Sequence, residues 1–419
     1  MRKIEKYSFG IGDRFNHQAK AQLSALIEAE KTGIHIVPVW NKSYREHSII
    51  SSIPLSTREQ ADKAVKTLKW RNSYYVDADH VGLVNVDFFI DAADFYTLDV
   101  ADFIGKAIDP ESINHFIESH RQYIGKLIIP GIEESFDVSE TFLRIVAGKY
   151  LLAAHEAGKI FRHISSQKDV DKIIIEVSMD ETNDPQTPLE LFFILSALAM
   201  EKIPLQTIAP KFSGRFNKGV DYVGDINAFK TEFGNDLAVL RFAVSEFGLS
   251  ENLKLSVHSG SDKFSIYPVI NETVRKFDAG LHLKTAGTTW LEELIGLAEA
   301  GGNGLKIAKD IYAASLQKYD ILVAPYATVI DIRRDQLPGA EEVSRWTSEQ
   351  YVNALRHDPA NPDYNMNLRQ LLHVGYKIAA DMEKKFTDAL EEHEKVISRN
   401  VKMNILERHV KPIFSGLKK

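Results

Sequence analysis

The sequence predicts an α/β fold, a (β/α)₈ barrel of the TIM type with a helical C-terminal extension. Three observations lead there. Short β-branched or aromatic runs alternate with longer segments of helical period, as parallel strands joined by crossover helices require. Polar residues of chemical interest fall just after the apolar runs, where barrel active sites lie. The glycine-rich strand-to-helix turn of a dinucleotide-binding open sheet is present only in part: GIGDRF lacks the third glycine, and Asp13 and Arg14 would crowd a pyrophosphate.

Strands are predicted at FGIG (9 to 12), IHIVPVW (34 to 40), SYYVDA (73 to 78), IIIEVS (173 to 178), LQTIAP (205 to 210), LKLSVHS (253 to 259) and LHLKT (281 to 285). An eighth is sought in GKLIIPG (125 to 131) or YDILVAP (319 to 325). Helical spacing marks 56 to 70, with a Ser or Thr cap and a following Glu, and also 139 to 161 and 226 to 248. GGNG (301 to 304) reads as a helix-to-helix turn. Residues 1–340 are expected to form the barrel. Residues 341–419 are expected to pack on it as helices, with 366 to 386 the clearest amphipathic piece.

Composition narrows the function. With 419 residues, 44% of them hydrophobic, the chain can bury a large core. The 51 Lys and Arg against 58 Asp and Glu leave a net charge of −7, without the basic stripe that nucleic acid demands. No run approaches the roughly 18 apolar residues of a membrane helix, and MRKIEKYSFGIGDRF carries no apolar signal core, so a cytoplasmic protein is expected. Zero cysteines remove disulfides, thiolate nucleophiles and Cys-based metal sites, so any metal must be held by His, Asp or Glu. The sequence allows a homo-oligomer without specifying one.

At the predicted strand ends stand Asp77, Asp79 and His80 in YYVDADH, Glu176 and Asp180 in IIIEVSMDE, His258 in KLSVHSGSD, and His282 and Lys284 in GLHLKT. Three histidines at three strand ends form a candidate site for one divalent metal cation (Zn, Ni, Co, Mn or Fe), open to substrate oxygens. A lone strand-end histidine is more often a hydrogen-bonded rim residue. Glu176, inside an apolar strand, is costly to bury without a partner and is a candidate acid/base group with Asp79; a salt bridge is its plain alternative. Lys211 and Arg215, in the glycine-containing loop after 205 to 210, are candidate anion-binding groups with Lys284, although the same pattern fits a solvated loop. Lys218 lies in that loop as well, Lys263 is positioned to join the pocket, and a Schiff-base role for Lys284 stays open. His115, His120, His155, His163, His393 and His409 read as solvated.

The segments GIGDRF, VDADH, APKFSGRFNKGVDYVGD, LSVHSGSDKF, LHLKTAGTTWLE and DPANPDYNMNLRQLLHVGYKIAADM resemble the tagaturonate/fructuronate epimerase family over nearly the whole chain. The resemblance implies a divalent-metal-dependent epimerase interconverting two ketouronates at C4 in bacterial galacturonate catabolism. Related chains act on neutral ketohexoses such as tagatose and fructose. The Asp79–His80 pair is also similar to the strand-end Asp-His of class II aldolases, whose two further histidine ligands His258 and His282 would mimic. The chemistry fits that likeness. The C4 hydrogen of a 2-keto sugar acid is β to the carbonyl, so its direct removal gains no enolate stabilisation, whereas retro-aldol cleavage of C3–C4 and re-addition to the other aldehyde face inverts C4. A class II-type aldolase that releases its fragments is the nearest alternative. A non-catalytic sugar-binding regulator is the more distant one.

Overall fold

The computed structural model describes residues 2–285 and 287–418. Eight parallel strands close into a barrel: β1 (Tyr7–Gly12), β2 (Val37–Ser43), β3 (Tyr75–Val81), β4 (Phe95–Asp99), β7 (Ile174–Ser178), β8 (Leu205–Ala209), β9 (Lys254–His258) and β10 (Leu281–Thr285). A separate antiparallel hairpin, β5 (Gly125–Leu127) and β6 (Phe136–Val138), lies outside it. The predicted (β/α)₈ barrel is therefore what the chain forms.

The eighth barrel strand is β4, and neither expected position supplies it. GKLIIPG contributes β5 to the hairpin, and Tyr319–Val323 is a helix. Only a short 3₁₀ turn, Val86–Phe89, separates β3 from β4, so the βα rhythm is broken where the strand occurs. The helix predicted from 56 begins instead at Pro54; Ile53 is its cap residue and no side chain caps it. Its φ-fixed proline at the first position makes the Ser or Thr cap dispensable. Glu140–Ser165 and Ile226–Phe247 form as expected, with Ser139 accepting from the Phe142 N–H and Asp225 from the Asn227 and Ala228 N–H groups. Gly301, at φ 74°, joins two helices as GGNG predicted.

Inside the barrel, side chains of alternate residues stack in layers. Ile4, Val37, Val39, Tyr75, Phe95 and Ile174 form an apolar floor. Two residues further along three of these strands come Asp77, Thr97 and Glu176, so the interior turns polar toward the C-terminal strand ends. Residues after 340 are helical, and Phe386, Ile397, Val401 and Ile413 share one continuous core with the barrel's own helices. Among the described residues no helix is long and apolar enough to cross a membrane.

A buried ion pair fastens this tail. Asp262, in the turn after β9, accepts from Arg369 Nη2 at 2.6 Å, from Thr288 Oγ1 at 3.1 Å, and contacts His357 Nδ1 at 3.2 Å and His409 Nε2 at 3.1 Å. All five residues are buried. Burial opposes the Asp262 charge, but Arg369 and the flanking imidazoles outweigh it and hold its carboxyl well below the usual range. His409 and likewise His120, which contacts Ser196 Oγ at 2.5 Å, are thus buried and hydrogen-bonded rather than solvated. In both, a polar ring end finds a partner inside an otherwise apolar packing.

Replacing Asp262 by Asn leaves the Arg369 guanidinium buried without its counter-charge. We expect a loss of about 3 to 5 kcal/mol at neutral pH, read from urea or thermal unfolding. The folded-state pKa is depressed, so this contribution is present above the unfolded carboxyl value of about 4 and fades as pH falls below it, and the gap between the two proteins should close in acid. A variant as stable as the parent at pH 7 would show that the tail docks without this pair.

Candidate active site at the barrel mouth

Lys284, on β10, is the hub of the polar layer. Its ammonium lies 2.7 Å from Asp77 Oδ2, 2.9 Å from Asp79 Oδ1 and 3.0 Å from Glu176 Oε1, and donates to Thr97 Oγ1 at 2.5 Å. Those partners come from β3, β4 and β7 across the barrel. Gly10 makes the crossing possible. A β-carbon there would sit 2.7 Å from Lys284 Cγ, so only glycine leaves room for the lysine stem.

Burial would strip the Lys284 charge, but Asp77, Asp79 and Glu176 hold its pKa well above the ordinary value. Burial also opposes the Glu176 charge; Lys284 and then His258 bring its pKa well down, and Lys284 lowers Asp79 in the same way. Asp77 goes the other way. Burial, joined by the neighbouring Asp79 and Glu176 charges, overrides Lys284 and raises it to about 7. Asp77 is therefore driven apart from both Asp79 and Glu176, which stay low together.

Above this layer lie the imidazoles. His258 Nε2 contacts Glu176 Oε1 at 2.8 Å, and its Nδ1 lies 3.2 Å from Asp180 Oδ1 with no hydrogen-bond partner. His80 Nδ1 is 3.3 Å from Asp99 Oδ2, and the His80 and His258 rings stand 5.4 Å apart. His80 has a left-handed φ of 54°, where the β3–β4 register shifts between Ala78 and Val81. Such a bulge re-aims one side chain at a strand end, and strain of this kind gathers at functional sites. Burial disfavours the charged imidazoles, yet Asp180 and Glu176 hold His258 up at about 9, and Asp79 with Asp99 and Asp180 raises His80 well above its usual value.

Ligand atoms of His80, Asp180 and His258 lie within 4.8 Å of one another, and those of His80, Asp99 and Glu181 do so as well. His282 belongs to neither group. It sits one layer lower, in register with Ser8 and Ser256, with Nδ1 at 2.9 Å from Ser8 Oγ and Nε2 without a partner; burial pushes its pKa down to about 3. A cavity of about 760 Å³ opens over the site, lined by Asp79, His80, Asp180, His258 and Lys284. Lys211 and Arg215 line it too. Lys211 Nζ donates to the Asp180 carbonyl at 3.3 Å, and Arg215 pairs with Asp331 at 3.2 Å on the exposed rim.

Residues 1–413 match the tagaturonate epimerase (UxaE) family. The chain belongs to that family. It is therefore an enzyme of the isomerase class, an epimerase. It is 27% identical to the tagaturonate/fructuronate epimerase of Thermotoga maritima over 96% of this chain and 80% of the relative. Its fold is similar to a glycerol-complexed crystal structure of the fructuronate-tagaturonate epimerase of Cohnella laeviribosi, with a TM-score of 0.81, 21% identity, and coverage of 98% of this chain and 82% of that one. The native crystal structure of the same Cohnella enzyme gives a TM-score of 0.79 at 22% identity, covering 99% and 82%.

Several residues of the site escape sequence reading. Asp99 ends the strand that was missed, and Thr97, on the same strand, receives Lys284. Arg14, His373 and Tyr376 bring the first strand end and the C-terminal helices into the wall. Arg14 Nε is 3.1 Å from Glu46 Oε1, Nη1 donates to the His373 carbonyl at 3.0 Å, and the guanidinium lies 3.9 Å from the Tyr376 ring centre. The available signal was Arg14 itself, a charge at an apolar strand end; nothing local marks His373.

Gly10→Ala should push Lys284 off its carboxylates while removing no ionisable group. We expect a fall in kcat of at least about tenfold with the fold retained by circular dichroism, since small displacements of positioning groups cost that much or more. Lys284→Met, which leaves buried carboxylates uncompensated, should also destabilise by about 3 to 5 kcal/mol in urea unfolding. Normal turnover in Gly10→Ala would remove the lysine's placement from the list of requirements.

Proposed function

We propose that this cytosolic epimerase interconverts D-tagaturonate and D-fructuronate at C4, by retro-aldol cleavage and re-addition, with a divalent cation held by His80, His258 and Asp180. The reading rests on one observation above all. Two imidazoles and a carboxylate converge within 4.8 Å in the mouth cavity, immediately above carboxylates held by Lys284. The donor set fits a cation, since His258 Nδ1 is buried beside Asp180 without a hydrogen-bond partner and the surrounding acids exceed the fixed positive charge. When bound, such a cation supplies Lewis acidity toward a substrate carbonyl.

Asp79 lines the cavity with its pKa low, ready to accept the C4 hydroxyl proton. As that proton leaves, the C4–O bond becomes an aldehyde, C3–C4 breaks, and its electrons move onto the C2 carbonyl oxygen to leave an enediolate. Rotation about C4–C5 presents the other aldehyde face, C3 re-adds, and the proton returns to the new C4 alkoxide. Glu176 fixes His258 and shares the Lys284 ammonium, so its part is to orient the imidazole and hold charge balance as the proton moves. Lys211, Arg215 and Lys218 all line the cavity and are candidates for the carboxylate of the substrate.

The ligand assignment separates two sets. His80→Ala, His258→Ala and Asp180→Ala should each lose bound metal, by elemental analysis, together with activity, whereas His282→Ala should keep its metal. Retained stoichiometry in Asp180→Ala with loss in His282→Ala would restore the three-histidine set. Asp79→Asn should retain metal and lose about 10²- to 10⁴-fold in kcat.

The route is tested in deuterated water. Cleavage at C3–C4 never breaks the C4–H bond, so the epimerised product should carry no deuterium at C4. Stoichiometric incorporation there would replace this route with proton abstraction or transient oxidation at C4.

A further inference from the structure

The cavity wall holds a group that the chemistry above does not use. His373, on the helix Met366–Val374, is 2% exposed, lines the cavity, and among the described residues has no hydrogen-bond partner at either ring nitrogen. A buried imidazole with both nitrogens unbonded is costly, and such groups commonly mark a ligand. Its Nε2 faces Gly287, where any β-carbon would collide with it. Gly287 caps the helix Thr288–Ala300, which has no side-chain cap, so the positive end of that helix faces the same corner.

Lys218 completes the corner. Its ammonium lies over Gly260, 3.6 Å from where a β-carbon would be, and makes no hydrogen bond or ion pair to any described residue. Gly260, at φ 66°, accepts from the Gly287 N–H at 3.0 Å. The loop bearing Lys218 is firmly held: the Gly219 N–H donates to Ser261 Oγ at 2.9 Å and its carbonyl accepts from Arg369 Nε at 2.5 Å. Burial keeps His373 neutral, and Arg14, Lys218, Arg369 and Lys263 press in the same direction, so positive charge surrounds it. Lys263 and all three guanidinium nitrogens of Arg369 are engaged by internal acceptors, whereas the Lys218 ammonium has no such acceptor among the described residues.

We propose that Lys218, His373 and the backbone where Gly260 meets Gly287 at the start of the helix Thr288–Ala300 form the seat for the terminal carboxylate of the sugar acid. The seat rests on the epimerase reading for its ligand class and adds a function to it. A carboxylate fixed here anchors the aldehyde fragment while rotation about C4–C5 exchanges its faces, which inverts C4 without release. Discrimination between ketouronates and neutral ketohexoses follows from the same contact, because a neutral chain end leaves His373 and Lys218 unsatisfied.

The test uses metal-loaded enzyme and two probes of equal length that cannot react, the anion galactonate and its neutral counterpart galactitol, by calorimetry. The wild-type protein should bind galactonate more tightly. Lys218→Met should weaken galactonate by about tenfold or more, as expected for losing a charged hydrogen bond, and His373→Gln by several-fold, with galactitol unchanged in both. In turnover, Lys218→Met should raise KM for tagaturonate far more than for tagatose and release detectable three-carbon fragments. Equal affinity of wild type for the two probes would overturn the seat, as would a loss found only in Lys211→Met or Arg215→Met. Galactonate binding that depends on Lys218, in a protein turning over neither ketouronate, would uphold the seat and defeat the epimerase reading instead.

Discussion

One ammonium group organises this molecule's chemistry. Lys284 reaches across the barrel to acids from β3 and β7 and a hydroxyl from β4, and without it three carboxyl groups would share one dry interior. Mutual repulsion and burial would then protonate most of them. With it, Asp79 and Glu176 stay ionised while Asp77 takes up the strain as a carboxyl titrating near 7. The lysine's reach in turn depends on a missing side chain, since Gly10 faces its stem from the neighbouring strand.

The imidazoles are the second tier of the same arrangement. Glu176 touches both Lys284 and His258, so the acid that balances the lysine also aims a candidate metal ligand. His80 reaches the group through a backbone distortion rather than through strand geometry. The site is thus built from a regular lower layer, set by barrel register, and an irregular upper one, set by a bulge and by loops. The candidate acid/base groups sit in the first and the candidate cation ligands in the second.

That division explains what was legible. Seven strands and the roles of Asp79, His80, Glu176 and His258 as strand-end groups follow from apolar runs ending in polar residues, because register and burial dictate both. β4 was illegible: five residues without a preceding crossover helix look like a turn, and Asp99 went with it. His282 looks equivalent to His258 in sequence, but in register it is level with Ser256, two residues before His258, which lowers it one layer and turns it toward Ser8. A linear pattern does not report that depth. His373 and Arg369 were out of reach for another reason. His373 packs against Gly219 and Gly287, and Arg369 bonds Gly219 and Asp262, all distant in the chain, and no local spacing encodes such neighbours.

The contact of Arg14 with the His373 carbonyl spans 359 residues. A ribosome making about 5 to 20 residues per second separates the emergence of those two positions by on the order of 20 to 70 s. Through that interval the strands of the barrel can assemble, but the cavity lacks one wall. Substrate-binding shape is consequently the last property the nascent chain acquires, and the tail, which bears none of the candidate acid/base or cation-binding groups, sets the moment at which the enzyme becomes one.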